Sequence, residues 1–170
     1  MRDVSKGETF FAMKGDADMR TVFAVASWFL NREAMSHKKL QKLCYYTQAW
    51  NYALKDVPFM DTEFEAWVHG PVSRQLYEKY GGSGFKDLTE DPTIPLVVFS
   101  PEESEHLESV WMTYGNHTGN SLEALTHSEP PWINARRGCE DDARCSNVID
   151  PEDMKRYYRS IYLGDLDTEA

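Results

Sequence analysis

The sequence predicts a mainly α protein: a single compact helical domain around a central buried helix, with a minor short β-strand pair. Three features predict it. In residues 40–54, Leu40, Leu43, Cys44, Thr47, Trp50, Asn51 and Leu54 recur at i, i+3, i+4 and i+7. Tyr45, Tyr46, Ala49 and Ala53 fill most of the remaining circumference, and a helix apolar nearly all round is buried on more than one side. Apolar stripes with helix-start signals account for most of the remaining chain, and only two short stretches read as strands.

At 170 residues the chain is long enough for one domain with a sizeable core. Its 41% hydrophobic and 27% charged composition is that of an ordinary globular protein. No apolar run is long enough to span a bilayer, and the first twenty residues lack the apolar core of a signal peptide. The expected location is cytoplasmic. The net charge of −10 is uneven: residues 1–80 sum to +1 and residues 81–170 to −11. An acidic half repels phosphate backbones and suits a basic partner protein.

Taken in order, residues 1–15 form an N-terminal arm with Phe10 and Phe11 as its one apolar anchor. A helix is expected from Asp16, with Met19, Val22, Phe23, Ala26, Phe29 and Leu30 on one face and Asp16 or Asp18 as its cap. After a turn at residues 31–35, Ser36 caps the central helix. Residues 63–68 alternate as a strand, with Phe64, Ala66 and Val68 on one side. Gly70 and Pro71 are expected to open the next helix, packed through Val72, Leu76 and Tyr80 and stopped by Gly81 and Gly82. Residues 94–99 read as a second strand, at an edge because of Pro95.

Ser100, Pro101 and Glu103 combine a capping box with proline at the first helical position, and this is the sharpest boundary in the chain. Leu107, Val110, Trp111 and Tyr114 form the stripe of that helix, and Gly115 ends it. A short helix spans residues 121–125, and Ser128 caps another carrying Trp132 and Ile133. Residues 138–147 form a polar loop. Asp150 and Pro151 open the last helix, with Met154, Tyr157, Tyr158, Ile161 and Tyr162 on one face. The helical domain thus covers residues 16–163, followed by an acidic tail at 164–170.

Few residues offer catalytic chemistry. The run Gly81, Gly82, Ser83, Gly84 lacks the Gly-Lys-Ser/Thr ending of a phosphate loop and reads as a linker. The five histidines form neither His-Glu-x-x-His nor His-x-His, so no metal or cofactor is expected. Of three cysteines, Cys44 reads as a buried apolar residue. Cys139 and Cys145 have neither redox nor zinc spacing, and a local disulfide between them is the minority reading in a reducing compartment. Thr126, His127, Ser128 and Glu129 supply hydrolase residue types, but adjacent residues cannot face one another as a triad. Lys38, Lys39 and Lys42 read as a solvated outer face of the central helix.

The runs KLQKLCYYTQAWNYAL (39–54) and FEAWVHGPVSRQLYEKY (64–80) carry a resemblance, continued by LTHSEPPW (125–132), Ala135-Arg136 and residues 150–158. Together they resemble the Panacea domain family of SocA-like antitoxins, often phage-associated, over roughly residues 20–160. The resemblance implies a non-enzymatic antitoxin that neutralises a cognate toxin by direct contact. For one family member it further implies delivery of the toxin to a ClpXP-type protease. Resemblance and charge pattern mark two partner-binding places: Lys39 and Lys42 on the central helix, and Thr126, His127 and Trp132 beside Trp67, His69 and Pro71. Two other classes compete. One is an unrecognised hydrolase around Thr126 and His127. The other is a DNA-binding regulator in which the strand, Gly-Pro and following helix form a winged-helix-like unit, yet residues 71–80 carry only Arg74 and Lys79 against Glu78.

Overall fold

The computed structural model describes the backbone of residues 19–169 and the side chains of residues 19–164. Phe10, Phe11, Asp16 and Asp18, and with them the expected arm and first cap, lie outside that range. Among the described residues seven α-helices follow in chain order: α1 (Val22–Leu30), α2 (His37–Lys55), α3 (Arg74–Tyr80), α4 (Pro101–Tyr114), α5 (Gly119–His127), α6 (Pro130–Ala135) and α7 (Pro151–Glu169). A two-stranded antiparallel sheet, β1 (Glu65–Trp67) and β2 (Gly70–Val72), lies between α2 and α3. The last helix therefore runs on into the segment set apart as a tail.

The central helix is α2, as its pattern predicts. Leu40, Leu43, Cys44, Tyr46 and Ala49 have no exposed surface. It packs most extensively on α7, then on α5, α4 and α1. Three of its buried polar side chains, Gln41, Gln48 and Asn51, bond backbone groups of the segments packed against it. Gln48 Oε1 accepts from the Phe59 and Met60 amides (2.8 and 2.9 Å), and its Nε2 donates to the Met60 carbonyl at 2.9 Å. Gln41 Oε1 accepts from the Ser73 amide at 2.9 Å while its Nε2 donates to the Ser73 carbonyl at 3.1 Å. Asn51 donates to the Val57 carbonyl at 2.8 Å. A buried group left unpaired costs about 1–3 kcal/mol, so these amides tie the loops to the helix and not merely to each other.

Side-chain caps set most helix starts. Thr21, Ser36, Ser73, Ser100 and Thr118 each accept a first-turn amide. The Ser100–Glu103 capping box forms in full, and Glu103 also takes the Arg20 guanidinium at 2.7 Å. At the start of α7, Asp150 accepts the Glu152 amide at 2.9 Å.

Four expectations are corrected. Gly70 and Pro71 do not start a helix; they lie in β2, and α3 begins three residues later behind Ser73. Gly70 sits at φ 104°, so the hairpin return needs a residue that tolerates positive φ there. Residues 94–99 form no strand. The outer edge of β1 is already taken, because Ala66 N donates to Asn147 O and Ile149 N donates to Phe64 O (2.8 and 2.7 Å). Pro95 removes a donor as well. Ser128 caps nothing downstream: Glu129 holds that position, and Ser128 Oγ turns back to the Leu125 carbonyl. Cys139 and Cys145 are joined in a disulfide, with Cα atoms 6.0 Å apart across the polar loop.

Candidate functional site

Three elements converge at the first turns of α2. The hairpin crosses them, Gly119 at the start of α5 lies against Ser36 and Lys39, and the Tyr77 ring of α3 lies tilted against His37 with centroids 5.7 Å apart. Between them opens a cavity of about 740 Å³. The residues before α4 and those after α6 complete its rim through Phe85, Asp142 and Arg144.

The lysines beneath this cavity overturn the reading of a solvated face. Lys39 and Lys42 are 8% and 1% exposed. Lys39 Nζ donates to the Gly115 carbonyl at 2.6 Å and lies over the Trp111 ring. Lys42 Nζ donates to the Pro71 carbonyl at 3.2 Å, and its stem fills the space beside Gly70. Burial, moderated by the Glu123 carboxylate and reinforced by Lys38, pulls Lys42 down to about 7. His37 beside it is pulled down to about 4, by burial first and then by Lys42. Both lysines are thus clamps that hold a loop and the hairpin to α2. Only Lys38 remains part-exposed, bonded to Glu123 at 2.6 Å and Asn120 at 3.0 Å.

The second expected place forms a separate recess of about 620 Å³, lined by His69, His127 and Trp132 among others. His127 and Trp132 stack at 4.0 Å, and Trp132 Nε1 donates to the Trp67 carbonyl at 2.9 Å. His127 lies beside the Val68 backbone, its Nε2 buried without a well-formed hydrogen bond among the described residues. Burial first lowers its affinity for a proton. His69 is exposed and bonds Glu123 at 2.7 Å. Thr126 is fully buried and its hydroxyl donates to the Glu123 carbonyl at 2.8 Å. Pro71 is also buried. Of the eight expected residues, Lys42, Trp67 and His69 therefore line the larger cavity, His69, His127 and Trp132 line the smaller, and Lys39, Pro71 and Thr126 support them from within.

Three further residues shape the site without a spacing signal in the sequence. Arg136, 6% exposed, donates to the carbonyls of Ala66, Glu140, Asp141 and Ala143 and so organises the loop that borders both cavities. Glu129, 4% exposed, accepts from Tyr46 at 2.6 Å and Tyr158 at 3.0 Å. Burial, partly offset by those bonds, pushes its carboxyl up to about 7. Phe85 stands fully in solvent on the rim. A phenylalanine just after a glycine run was the signal available for it.

The hydroxyls of Thr126 and Ser128 are both committed to carbonyls of their own helix, so neither is set up for attack. No group of three or more His, Cys, Asp or Glu side chains with metal-holding geometry occurs among the described residues, and none of their helices is long and apolar enough to cross a membrane. The fold and its cavities define a mainly helical domain built on one buried helix, with a preformed cleft at that helix's N-terminal end. Residues 40–133 match the model of a family described as antitoxin SocA-like, Panacea domain. That match covers more than half of the chain, and the chain belongs to this family. Antitoxin SocA of Caulobacter vibrioides (strain NA1000 / CB15N) is 29% identical over 125 residues, a span covering 64% of this chain and 66% of that protein. This chain's match thus spans just under two thirds of the relative. No solved structure matches it significantly.

Proposed function

We propose that the chain is a cytoplasmic antitoxin that neutralises a cognate toxin by direct protein contact, without catalytic turnover. The observation that carries this reading is the family match itself, whose residues 40–133 include α2 from Leu40 onward, the hairpin and α5. The interaction chemistry is consistent with it. Cavities lined by aromatic side chains, beside an acidic second half, suit a protein partner better than a phosphate backbone. The DNA-binding alternative loses its basic helix, because Arg74 is paired with Glu65 and Lys79 with Asp91. The decisive experiment searches the neighbouring genes for a small toxic reading frame and co-expresses its product with the chain. Growth restored to at least a hundredfold above the toxin-only strain is expected; no restoration sinks the reading. Toxin half-life followed in the same cells separates simple inhibition from delivery to a ClpXP-type protease.

A further inference from the structure

The cleft over the first turns of α2 carries four features that the fold itself does not need. Phe85 is fully exposed at its mouth, although the floor behind it is aromatic, with Trp67 and Tyr77 in edge contact at 4.8 Å. An exposed large apolar side chain next to an apolar cleft marks a contact surface. Trp67 Nε1 is buried against this floor and finds no acceptor among the described residues. A buried donor without an acceptor costs free energy that an incoming acceptor recovers. Two helix N-termini, those of α2 and α5, line the cleft, and neither has an acidic residue in its first turn. Each end is capped by a neutral hydroxyl, Ser36 or Thr118, so its remaining partial positive charge faces the cleft without a first-turn carboxylate. Finally, Arg144 stands exposed on the rim with no ion-pair partner among the described residues. In a chain of net charge −10 this is a local concentration of donors and positive ends.

We propose that this cleft is where the toxin docks, receiving an apolar side chain of the toxin against Trp67, Tyr77 and Phe85 and a neighbouring carboxylate at Arg144 and the first turns of α2 and α5. The proposal rests on the antitoxin reading and specifies its surface. Each half of the ligand chemistry answers a separate observation. The apolar part covers Phe85 and the aromatic floor, and the anionic part meets helix ends, a free guanidinium and the Trp67 N–H. Asp142 on the same rim disfavours a second carboxylate, so one acidic group is expected.

Isothermal titration of the purified full chain with the purified toxin tests this. Phe85→Ser and Arg144→Glu alter exposed rim positions and leave the thermal midpoint unchanged. Each is expected to weaken binding at least tenfold, Arg144→Lys to restore it to within threefold, and Trp67→Phe, which keeps a ring but loses the N–H, to weaken it about threefold to tenfold. Met112→Ser, on the exposed surface of α4, serves as the control and is expected to bind as wild type. If wild type binds and both Phe85→Ser and Arg144→Glu bind equally well, the cleft is not the interface and the antitoxin reading survives without it. If wild type itself does not bind, both fall together.

Discussion

The Lys42 side chain occupies the space that a Cβ at Gly70 would need: that carbon would lie 2.5 Å from Lys42 Cε. The helix clamp and the hairpin turn are therefore one feature, a lysine reaching past a glycine to the Pro71 carbonyl. Gly70→Ala meets both the clash and the cost of a non-glycine residue at φ 104°. A loss of about 2–3 kcal/mol is expected, or a thermal midpoint lower by about 5–10 °C. Adding Lys42→Ala relieves the clash, so the double variant should lose less than the sum of the single losses. Additive losses would show that the two side chains do not interact.

The buried lysines give the opposite expectation to a solvated face. Lys39→Glu with Lys42→Glu would place two carboxylates against the Gly115 and Pro71 carbonyl oxygens. Unpaired buried charge costs several kcal/mol, a large part of a typical stability of about 5–15 kcal/mol. The double variant should be largely unfolded at 37 °C by circular dichroism. A midpoint within about 3 °C of wild type would mean that neither side chain is buried in solution.

Glu129 makes stability depend on pH. Its folded pKa, about 7, is above the ordinary carboxyl value, so the folded state holds a proton that the unfolded chain releases. The resulting stabilisation is full below the unfolded pKa and is lost as pH rises through the folded one. Between about pH 4.5 and 7 that contribution falls by an amount on the order of 3 kcal/mol. His37, pulled down to about 4, acts in the opposite sense over an overlapping range. The comparison must therefore be with Glu129→Gln, which keeps His37 and removes only the carboxyl. Urea denaturation of both proteins at several pH values should show wild type losing ground to the variant as pH rises. A constant difference would place the Glu129 carboxyl in its ordinary range.

Much of the architecture was legible because apolar period and caps are local. The stripe of residues 40–54, the Ser100–Glu103 box and the Asp150–Pro151 start all appear where their spacing puts them. What failed was decided by distant partners. The apolar, β-branched run at residues 94–99 forms no strand, while residues 147–149 hold the outer edge of β1. Ser73 becomes a cap because Gln41, 32 residues away, holds its backbone at both ends. Lys39 and Lys42 look like surface from one helix and become interior once the hairpin and the loop after α4 close over them. For the cleft, Trp67 and His69 stood out in the sequence, whereas Phe85 and Arg144 reach the same rim from segments separated by tens of residues.

Neutralisation by direct contact is read by mixing the purified chain with the purified toxin at equal concentration. Size-exclusion chromatography with light scattering and an assay of toxin action are then read on the same sample. The expected result is a stable complex of defined stoichiometry, with toxin action lost in step with complex formation. Two separate peaks with fully active toxin at micromolar concentrations would contradict it.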